Sequence, residues 1–243
     1  MKISVCVATY NGEKYIKEQI DSILCQLNLG DELIISDDMS SDRTVEIINS
    51  YNDNRIKLFY HEVDHGFVKN FENALNNASG DVIFLSDQDD IWMNDKVENI
   101  LRALEIYDFV VSDCVTINEK REIIDESRFK EYNIKTGFWR LMLKTRYLGC
   151  CMAFRKDVLN AVLPFPRNAY LVEHDLWIAT VAECYFKVGL IKRPLIQYRR
   201  HGENASSGGM TKGYSIPIKI YRRLYRLACL LKICNRVLLI KKM

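Results

Sequence analysis

Short apolar runs alternate with helix-like patterns along the first hundred residues. Four runs rich in Val, Ile, Leu and Phe have the length of buried strands: residues 3–8, 32–36, 55–60 and 82–85. Three intervening segments place apolar residues at helical spacing: 13–27, 44–51 and 67–78. Ser40 or Ser41 is expected to cap the second of these helices. Strands separated by single helices predict βαβ units and a mostly parallel sheet flanked by helices.

The pattern loosens after about residue 100. Residues 109–116 and 151–155 have the pattern of strands, and 190–199 that of an extended segment. Three segments have helical spacing: 94–106, 137–146 and 175–186. The polar stretch 118–136 is predicted to be a loop. The expected fold class is therefore α/β, with a mixed C-terminal part added to the parallel sheet.

The last segment differs in charge from the rest of the chain. Glu203 is the last acidic residue, and nine Lys and Arg residues follow it between apolar residues at roughly helical spacing. One interpretation is a helix that packs on the domain and turns a basic face to solvent. The other is an interfacial helix at 214–243 that binds anionic lipid headgroups, each cation adding about 1 kcal/mol near such a surface.

Overall composition excludes several classes of protein. Lys+Arg 34 against Asp+Glu 32 leaves a net charge of +2, so no general basic field predicts a nucleic-acid partner. The eight cysteines include no CxxC pair, which argues against a thiolate zinc site. No run reaches the roughly 18 apolar residues of a membrane span, and the N-terminus lacks the apolar core of a signal peptide. These features predict a reduced, cytoplasmic protein.

Acidic loops follow two of the predicted strands. Asp37 and Asp38 come after the second strand, and Asp87, Asp89 and Asp90 come after the fourth. Ligands of open parallel sheets bind at the carboxyl ends of the strands, where these loops would meet. Carboxylates gathered there repel one another unless a cation or hydrogen-bond donors offset their charge, and Mg²⁺ takes carboxylates together with substrate phosphates. GxGxxG and GxxxxGK[ST] motifs are absent, so the sequence favours a metal–nucleotide site over a dinucleotide or Walker site.

The motifs themselves resemble those of a known family. ISVCVATYNGEKYIKEQIDSIL, IISDDMSSDRT, GFVKNFENAL and GDVIFLSDQDDIW are similar to the inverting glycosyltransferases of family 2, which have the GT-A fold. Weaker similarity continues in GCCMAFRKDVL, EHDLWIA and YRRHGENAS, and the SDQDDIW and HDLW forms resemble the rhamnosyltransferases of bacterial surface polysaccharide synthesis. The resemblance implies a GT-A domain at 1–207, with a nucleotide-sugar half at 1–100 and an acceptor half at 101–207, followed by a basic helical tail at 208–243.

The resemblance also implies roles for particular residues. The donor nucleoside would contact five of them: Thr9, Tyr10, Asn11, Asp37 and Asp38. In the DxD element, Asp89 would be the main ligand of Mn²⁺ or Mg²⁺, and Asp87 would face the ribose or the ion. His201 would reach the metal or the diphosphate, and Arg199 would meet the diphosphate or simply be a solvated residue at a strand end.

The catalytic candidates are the two acids of Glu173-His174-Asp175. Inverting transfer needs a base that takes the proton of the acceptor hydroxyl, and Asp175 aligns best with the family's base, with Glu173 second. Taken alone, the same residues would suit a helix N-terminus, where negative charge is favourable.

These features together predict a metal-dependent inverting glycosyltransferase. Its donor would be a nucleoside diphosphate sugar, either dTDP-rhamnose or a UDP-hexose, and its acceptor a glycan or a lipid-linked glycan at the inner face of the plasma membrane. Three alternatives are a nucleotidyltransferase, a phosphoacceptor signalling domain and a non-catalytic nucleotide-sugar-binding regulator. The first would need a basic Gly-rich loop after the first strand, and the second would use about half of this length.

Overall fold

One mixed β-sheet organises the chain. The structure is a computed structural model that describes residues 1–144, 147–168, 171–202 and 214–242. Within these residues the strands are β1 (Ile3–Thr9), β2 (Glu32–Asp37), β3 (Ile56–Tyr60), β4 (Val82–Ser86), β5 (Ile91–Trp92), β6 (Phe109–Ile117), β7 (Ile123–Asp125), β8 (Met152–Arg155) and β9 (Val188–Arg199). Their order is β3-β2-β1-β4-β8-β6-β9-β5, and β7 pairs with β6 outside this path.

The first half of the sheet is parallel. Strands β3, β2, β1 and β4 pair in parallel and are connected by the helices α1 (Ile16–Leu24), α2 (Thr44–Asn49) and α3 (Phe67–Asn76). All six residues of β2 and all five of β4 are buried, as expected for strands covered on both faces. The predicted βαβ units are confirmed. Their register brings the carboxyl ends of β1, β2 and β4 to one edge of the sheet.

The second half of the sheet is mixed, as expected. Strand β8 pairs antiparallel with β4 and β6, whereas β6 and β9 are parallel and β5 returns antiparallel to β9. The remaining helices are α4 (Lys96–Leu104), α5 (Arg128–Tyr132), α6 (Phe138–Leu143), α7 (Lys156–Val162), α8 (His174–Tyr185) and α9 (Ile216–Ile240). Because β9 pairs along most of β6, it carries its own C-terminal end to the same edge as the acidic loops.

Two local predictions are wrong. The stretch 118–136 contains β7 and α5, and the Ser127 side chain caps α5 by accepting the backbone N–H of Lys130 at 3.2 Å. Neither Ser40 nor Ser41 caps α2. Instead the carboxylate of Asp42 accepts the backbone N–H of Thr44 at 2.9 Å, and the Ser40 hydroxyl donates to Asp37 at 2.6 Å. The Ser40 hydroxyl is thus bonded to the end of β2, and the Ser41 hydroxyl donates to Asn11 in the loop after β1.

Helix α9 packs its arginines against the body of the domain. Arg222 and Arg226 are buried. Arg223 donates to the carbonyls of Met142 and Leu143 at 2.9 and 2.7 Å, at the C-terminal end of α6. Arg236 donates to two carbonyls at the end of α7. Such cations satisfy carbonyls that a helix end leaves without partners. A basic face turned to solvent was therefore the wrong expectation for these arginines.

The opposite side of α9 is largely apolar. Four residues define what we call the outer face, all of them exposed: Ile220, Leu224, Leu231 and Leu238. Leu224 and Leu231 are 60% and 77% exposed. Among the described residues, no helix combines the length and the hydropathy that a membrane crossing requires. The predicted boundary between residues 207 and 208 lies outside the described residues.

Candidate functional site

Thr9 and Asp37 are buried where β1 and β2 end side by side. The Thr9 hydroxyl donates to Asp37 Oδ2 at 2.8 Å, and the Ser40 backbone N–H donates to Asp37 Oδ1 at 2.8 Å. Both oxygens of Asp37 are thus occupied by protein donors. Thr9 and Asp37, two of the five residues predicted to contact the nucleoside, thus join the ends of β1 and β2, and their contact with the nucleoside stays a prediction.

Asp38 points the other way, to the start of α3. One of its oxygens lies 2.8 Å from His65 Nδ1, and the other accepts the backbone N–H of Gly66 at 2.7 Å. Gly66 has φ 126°, a conformation that favours glycine, and it precedes the first residue of α3. His65 was not predicted to take part in the site. The signal for it was the His-Gly pair immediately before a helix.

Gln88 connects the first loop to the acidic loop. Its side-chain amide accepts the Tyr10 backbone N–H at 2.8 Å and donates to the Tyr10 carbonyl at 3.0 Å. Tyr10 remains more than half exposed, and Asn11 adopts φ 47° while its side chain accepts the Ser41 N–H at 2.9 Å. Gln88 was not among the predicted site residues, although its position between the two acids of the DxD element was visible in the sequence.

The acidic residues after β4 divide into two groups. Asp89 Oδ2 lies 2.7 Å from His201 Nε2, so the predicted metal ligands Asp89 and His201 are brought together across 112 residues of sequence. Asp87 and Asp90 converge instead on Cys150, with one potential ligand atom of each within 4.8 Å of the others. The set predicted from sequence (Asp87, Asp89 and His201) thus spans both groups.

Burial makes the second group electrostatically costly. Burial first, and then the charges of Asp89 and Asp175, raise the pKa of Asp87 to about 7. Burial and the charges of Asp89 and Asp87 raise the pKa of Asp90 well above its usual value. Asp90 Oδ2 has no hydrogen-bond partner within the described ranges. The two carboxylates, one of them with an unsatisfied buried oxygen, fit a hard divalent cation such as Mg²⁺ or Mn²⁺, whereas the Cys150 thiol is a softer ligand that does not favour such an ion.

A buried lysine lies beneath this group. Lys96 is fully buried, its Nζ donates to the Cys150 carbonyl at 2.9 Å, and it lies 4.2 Å from the centre of a Trp92 ring. Burial lowers the pKa of Lys96 to about 8, while the charge of Asp90 acts in the opposite direction. One ammonium group therefore offsets only part of the local negative charge.

Arg199 supports the acidic loop from β9. Its backbone N–H donates to Asp90 Oδ1 at 3.0 Å, and its Nε donates to the Asp89 carbonyl at 2.8 Å. Its guanidinium also pairs with Glu18 and lies 4.8 Å from the centre of the Tyr15 ring. These bonds give the Arg199 side chain a role in holding the acidic loop. The predicted contact of Arg199 with the diphosphate stays a prediction.

Glu173, His174 and Asp175 face three different environments at the start of α8. Glu173 has φ 55° and ψ 149°, and its carboxylate accepts a hydrogen bond from Arg222 at 2.6 Å. His174 stacks on Phe71 with ring centres 4.1 Å apart, and burial lowers its pKa to about 3, so the imidazole is neutral. Burial and the charge of Glu173 raise the pKa of Asp175 to about 7.

Two surface hollows are found among the described residues. One of about 420 Å³ is lined by α5, α6 and their connection, including Ile134, Leu141 and Lys144. The other, of about 250 Å³, includes His61, Asp64 and Asn73. Neither hollow is lined by Asp38, Asp89 or His201.

Comparison with known sequences shows the family. Residues 4–163 match the model of Glycosyl transferase family 2. The chain is 27% identical over 223 residues to the dTDP-rhamnosyl transferase RfbG of Shigella flexneri, covering 82% of this chain and 72% of that protein. It is 38% identical over 96 residues to the Escherichia coli UDP-Glc:alpha-D-GlcNAc-diphosphoundecaprenol beta-1,3-glucosyltransferase WfgD, covering 40% of this chain and 38% of that protein. The chain spans about two thirds of the length of the curated relatives that it matches over most of its own residues.

Comparison with solved structures shows the fold. S. aureus TarS 1–349 in complex with UDP-GlcNAc superposes with a TM-score of 0.72 at 22% identity, covering 95% of this chain and 66% of that one. The mannosyltransferase PcManGT of Pyrobaculum calidifontis, solved with GDP-Man and Mn²⁺, gives a TM-score of 0.61 at 17% identity, covering 98% and 73%. The acidic loops at the carboxyl edge of a curled, mostly parallel sheet, the matched family model and these neighbours lead to one conclusion: the chain belongs to glycosyl transferase family 2 and has the GT-A fold.

Proposed function

We propose that this chain is a metal-dependent, inverting glycosyltransferase that uses a nucleoside diphosphate sugar. The observation that carries the proposal is the contact of Asp89 with His201 at the carboxyl edge of the sheet, next to Asp87, on which the charges of Asp89 and of Asp175 from α8 both act. A cation-binding group beside a carboxyl whose pKa lies near neutrality has both parts that the reaction needs. The divalent cation of PcManGT and the UDP-GlcNAc of TarS, both bound to GT-A relatives, support the same class of donor and cofactor.

In this mechanism Asp175 is the base. Its carboxylate would take the proton of the acceptor hydroxyl while the hydroxyl oxygen attacks the anomeric carbon opposite the leaving diphosphate, so the configuration inverts. A pKa of about 7 suits a base that must be ionised yet still accept a proton at neutral pH. Glu173 is the weaker candidate because its carboxylate is already engaged by Arg222.

The other residues would bind and orient the donor. Asp87, Asp89 and His201 would hold Mn²⁺ or Mg²⁺, which offsets the charge that develops on the leaving diphosphate. Tyr10 offers an exposed ring on which the nucleobase of the donor could stack. Asp38 and His65 form a polar pair at the adjoining loop. RfbG and WfgD support dTDP-rhamnose or a UDP-hexose as donor and a glycan or lipid-linked glycan in surface polysaccharide synthesis as acceptor.

Asp175→Asn tests the assignment of the base. We expect loss of transfer by about 10²- to 10⁴-fold, because the amide cannot accept the proton, with donor affinity in the presence of Mn²⁺ within about twofold of wild type. Calorimetry of donor binding and product analysis provide the two readouts, and Asp157→Asn on α7 is the matched control. If wild type binds a nucleotide sugar but neither transfers nor hydrolyses any donor, the chain is a non-catalytic binder and the proposal is wrong.

We also propose that the protein works on the cytoplasmic face of an anionic membrane. The outer face of α9 carries apolar side chains and α9 contains no acidic residue. Lys219 and Lys232 are exposed on α9, and Lys241 and Lys242 are exposed just after it. An amphipathic helix of this kind lies in the interface, with apolar residues among the acyl chains and lysines among anionic headgroups. The tail would therefore bring the active site to a lipid-linked acceptor.

Flotation with vesicles tests this location. Leu224→Glu together with Leu231→Glu should reduce cofloating with phosphatidylglycerol vesicles about tenfold or more, because charge would enter the acyl region. Leu29→Glu is the matched control, since Leu29 is 95% exposed on the loop before β2. Equal flotation of wild type and the double variant would exclude the outer face as the contact surface.

A further inference from the structure

Two arginines lie on the inner side of α9, one helical turn apart. Arg222 and Arg226, which we call the arginine pair, are 8% and 4% exposed. Arg222 donates through Nε to the Leu171 carbonyl at 2.8 Å and through Nη2 to Glu173 at 2.6 Å. Arg222 is thus held at the loop that leads into α8, beside the proposed base.

Arg226 lacks the partners that a buried guanidinium needs. Its Nε and Nη1 have no hydrogen-bond partner in the part of the chain that the structure describes. Burial first, and then the neighbouring charges of Arg222 and Arg223, lower its pKa to about 10, so the group is still protonated at neutral pH. Buried donors without acceptors are rare in folded proteins, and a buried charge without a partner is costly.

The charges around Arg226 are mainly positive, so an anion would be stabilised there. Within the described ranges Glu173 is the acidic group whose charge acts on Arg226, and it is already hydrogen-bonded to Arg222. Arg223, the third cation, is bonded to carbonyls at the end of α6 and adds positive charge without adding an acceptor. Guanidinium groups present several donors in a plane that matches the oxygens of a phosphate group.

The position of the pair favours the acceptor over the donor as the source of this anion. The charge of Arg222 acts on Asp175, whereas the groups proposed to hold the donor diphosphate, Asp89 and His201, pair with each other at the ends of β4 and β9. The pair also lies on the same helix as the outer face, where the headgroup of a lipid-linked acceptor would be.

We propose that Arg222 and Arg226 bind a phosphate group of the acceptor, the phosphate or diphosphate that joins its first sugar to a lipid. This inference rests on the proposed function and names the acceptor class of that site. It gives the buried donors of Arg226 their missing acceptor. It also makes the pair a specificity determinant, since a neutral glycan would leave those donors unsatisfied.

The first test is metal-free binding of inorganic pyrophosphate, measured by calorimetry in EDTA on the full chain. Wild type should bind one pyrophosphate, and Arg226→Met should weaken binding about tenfold or more, because methionine keeps the packing and removes every donor. Arg226→Lys keeps the charge and should lose less. The control is Arg102→Met, whose arginine pairs with Glu98 on the surface of α4. Thermal unfolding of each variant identifies any that fails to fold, and Arg226→Lys then carries the comparison. Equal affinity in wild type and a folded variant, or no binding at all, would overturn the proposal.

The second test separates the two sources of phosphate. With Mn²⁺, Arg226→Met should leave the KM for the nucleotide sugar within about twofold and raise the KM for a diphosphate-linked acceptor about tenfold or more, without changing the KM for the same saccharide on a neutral alkyl group. An equal rise in donor KM would assign the pair to the donor diphosphate and reject the acceptor assignment. Pyrophosphate binding in EDTA needs no turnover, so its result tests the arginine pair independently of whether the chain has transferase activity.

Discussion

Glu173 is expected to set the pH at which the base becomes active. In the folded chain the pKa of Asp175 is about 7, raised by burial and then by the charge of Glu173, while Arg222 and backbone N–H groups act to lower it. Glu173→Gln removes the negative neighbour and leaves the cation of Arg222. The loss of the negative charge and the remaining positive charge both favour the ionised form of Asp175, so the pKa of Asp175 should fall.

The size of this shift follows from the surroundings of Glu173. Its side chain is 38% exposed and paired with Arg222, so solvent and the guanidinium screen much of its charge. A screened neighbour of this kind is worth about 0.7–1.4 kcal/mol, or about 0.5–1 pKa unit. Since the base must be ionised, the transfer rate at pH 6 should rise by about threefold to fivefold relative to the plateau at high pH.

The assay is the initial rate of transfer at saturating donor and metal, from pH 5 to pH 9. Glu98→Gln on α4 is the control, because Glu98 is exposed and pairs with Arg102 away from the site. A midpoint that is unchanged in Glu173→Gln, or one that moves to higher pH, would refute the electrostatic coupling. A variant that loses all transfer at every pH would identify Glu173 as the base instead of Asp175.

Three further outcomes are expected from the same structure. Asp175→Asn should be more stable to urea than wild type at pH 8 and similar near pH 4. The reason is that the raised pKa of Asp175 costs stability as the pH rises from the pKa of the unfolded chain through about 7. Equal stability of the two proteins at pH 8 would contradict this. Gln88→Ala should weaken donor binding about tenfold, measured by calorimetry with Mn²⁺, because the two bonds that join the first loop to the acidic loop are lost; unchanged affinity would remove Gln88 from the site. Arg236→Met should lower the free energy of unfolding by about 1–3 kcal/mol, because the carbonyls at the end of α7 lose their donors, and it should leave kcat unchanged. A change in kcat with unchanged stability would argue against a purely structural contact.

Local patterns in the sequence were sufficient for the parallel half of the fold. The buried runs of β1, β2 and β4 and the helices between them follow from apolar periodicity, which is a property of neighbouring residues. The same patterns predicted that Asp38 and Asp89 would lie at one edge, since parallel strands of one sheet end together. The motif resemblance identified the family that the comparisons then showed.

The tertiary structure decided which partner each polar group takes. Asp37 and Asp38 are adjacent in sequence, yet one is enclosed by β1 and the other faces His65. Arg199 meets the Asp89 carbonyl across 110 residues of sequence, and the arginines of α9 turn inward because carbonyls at the ends of α6 and α7 lie there. A hydrogen bond depends on positions within about 3 Å, and those positions are set by how distant segments pack, so no periodicity along the chain can specify them.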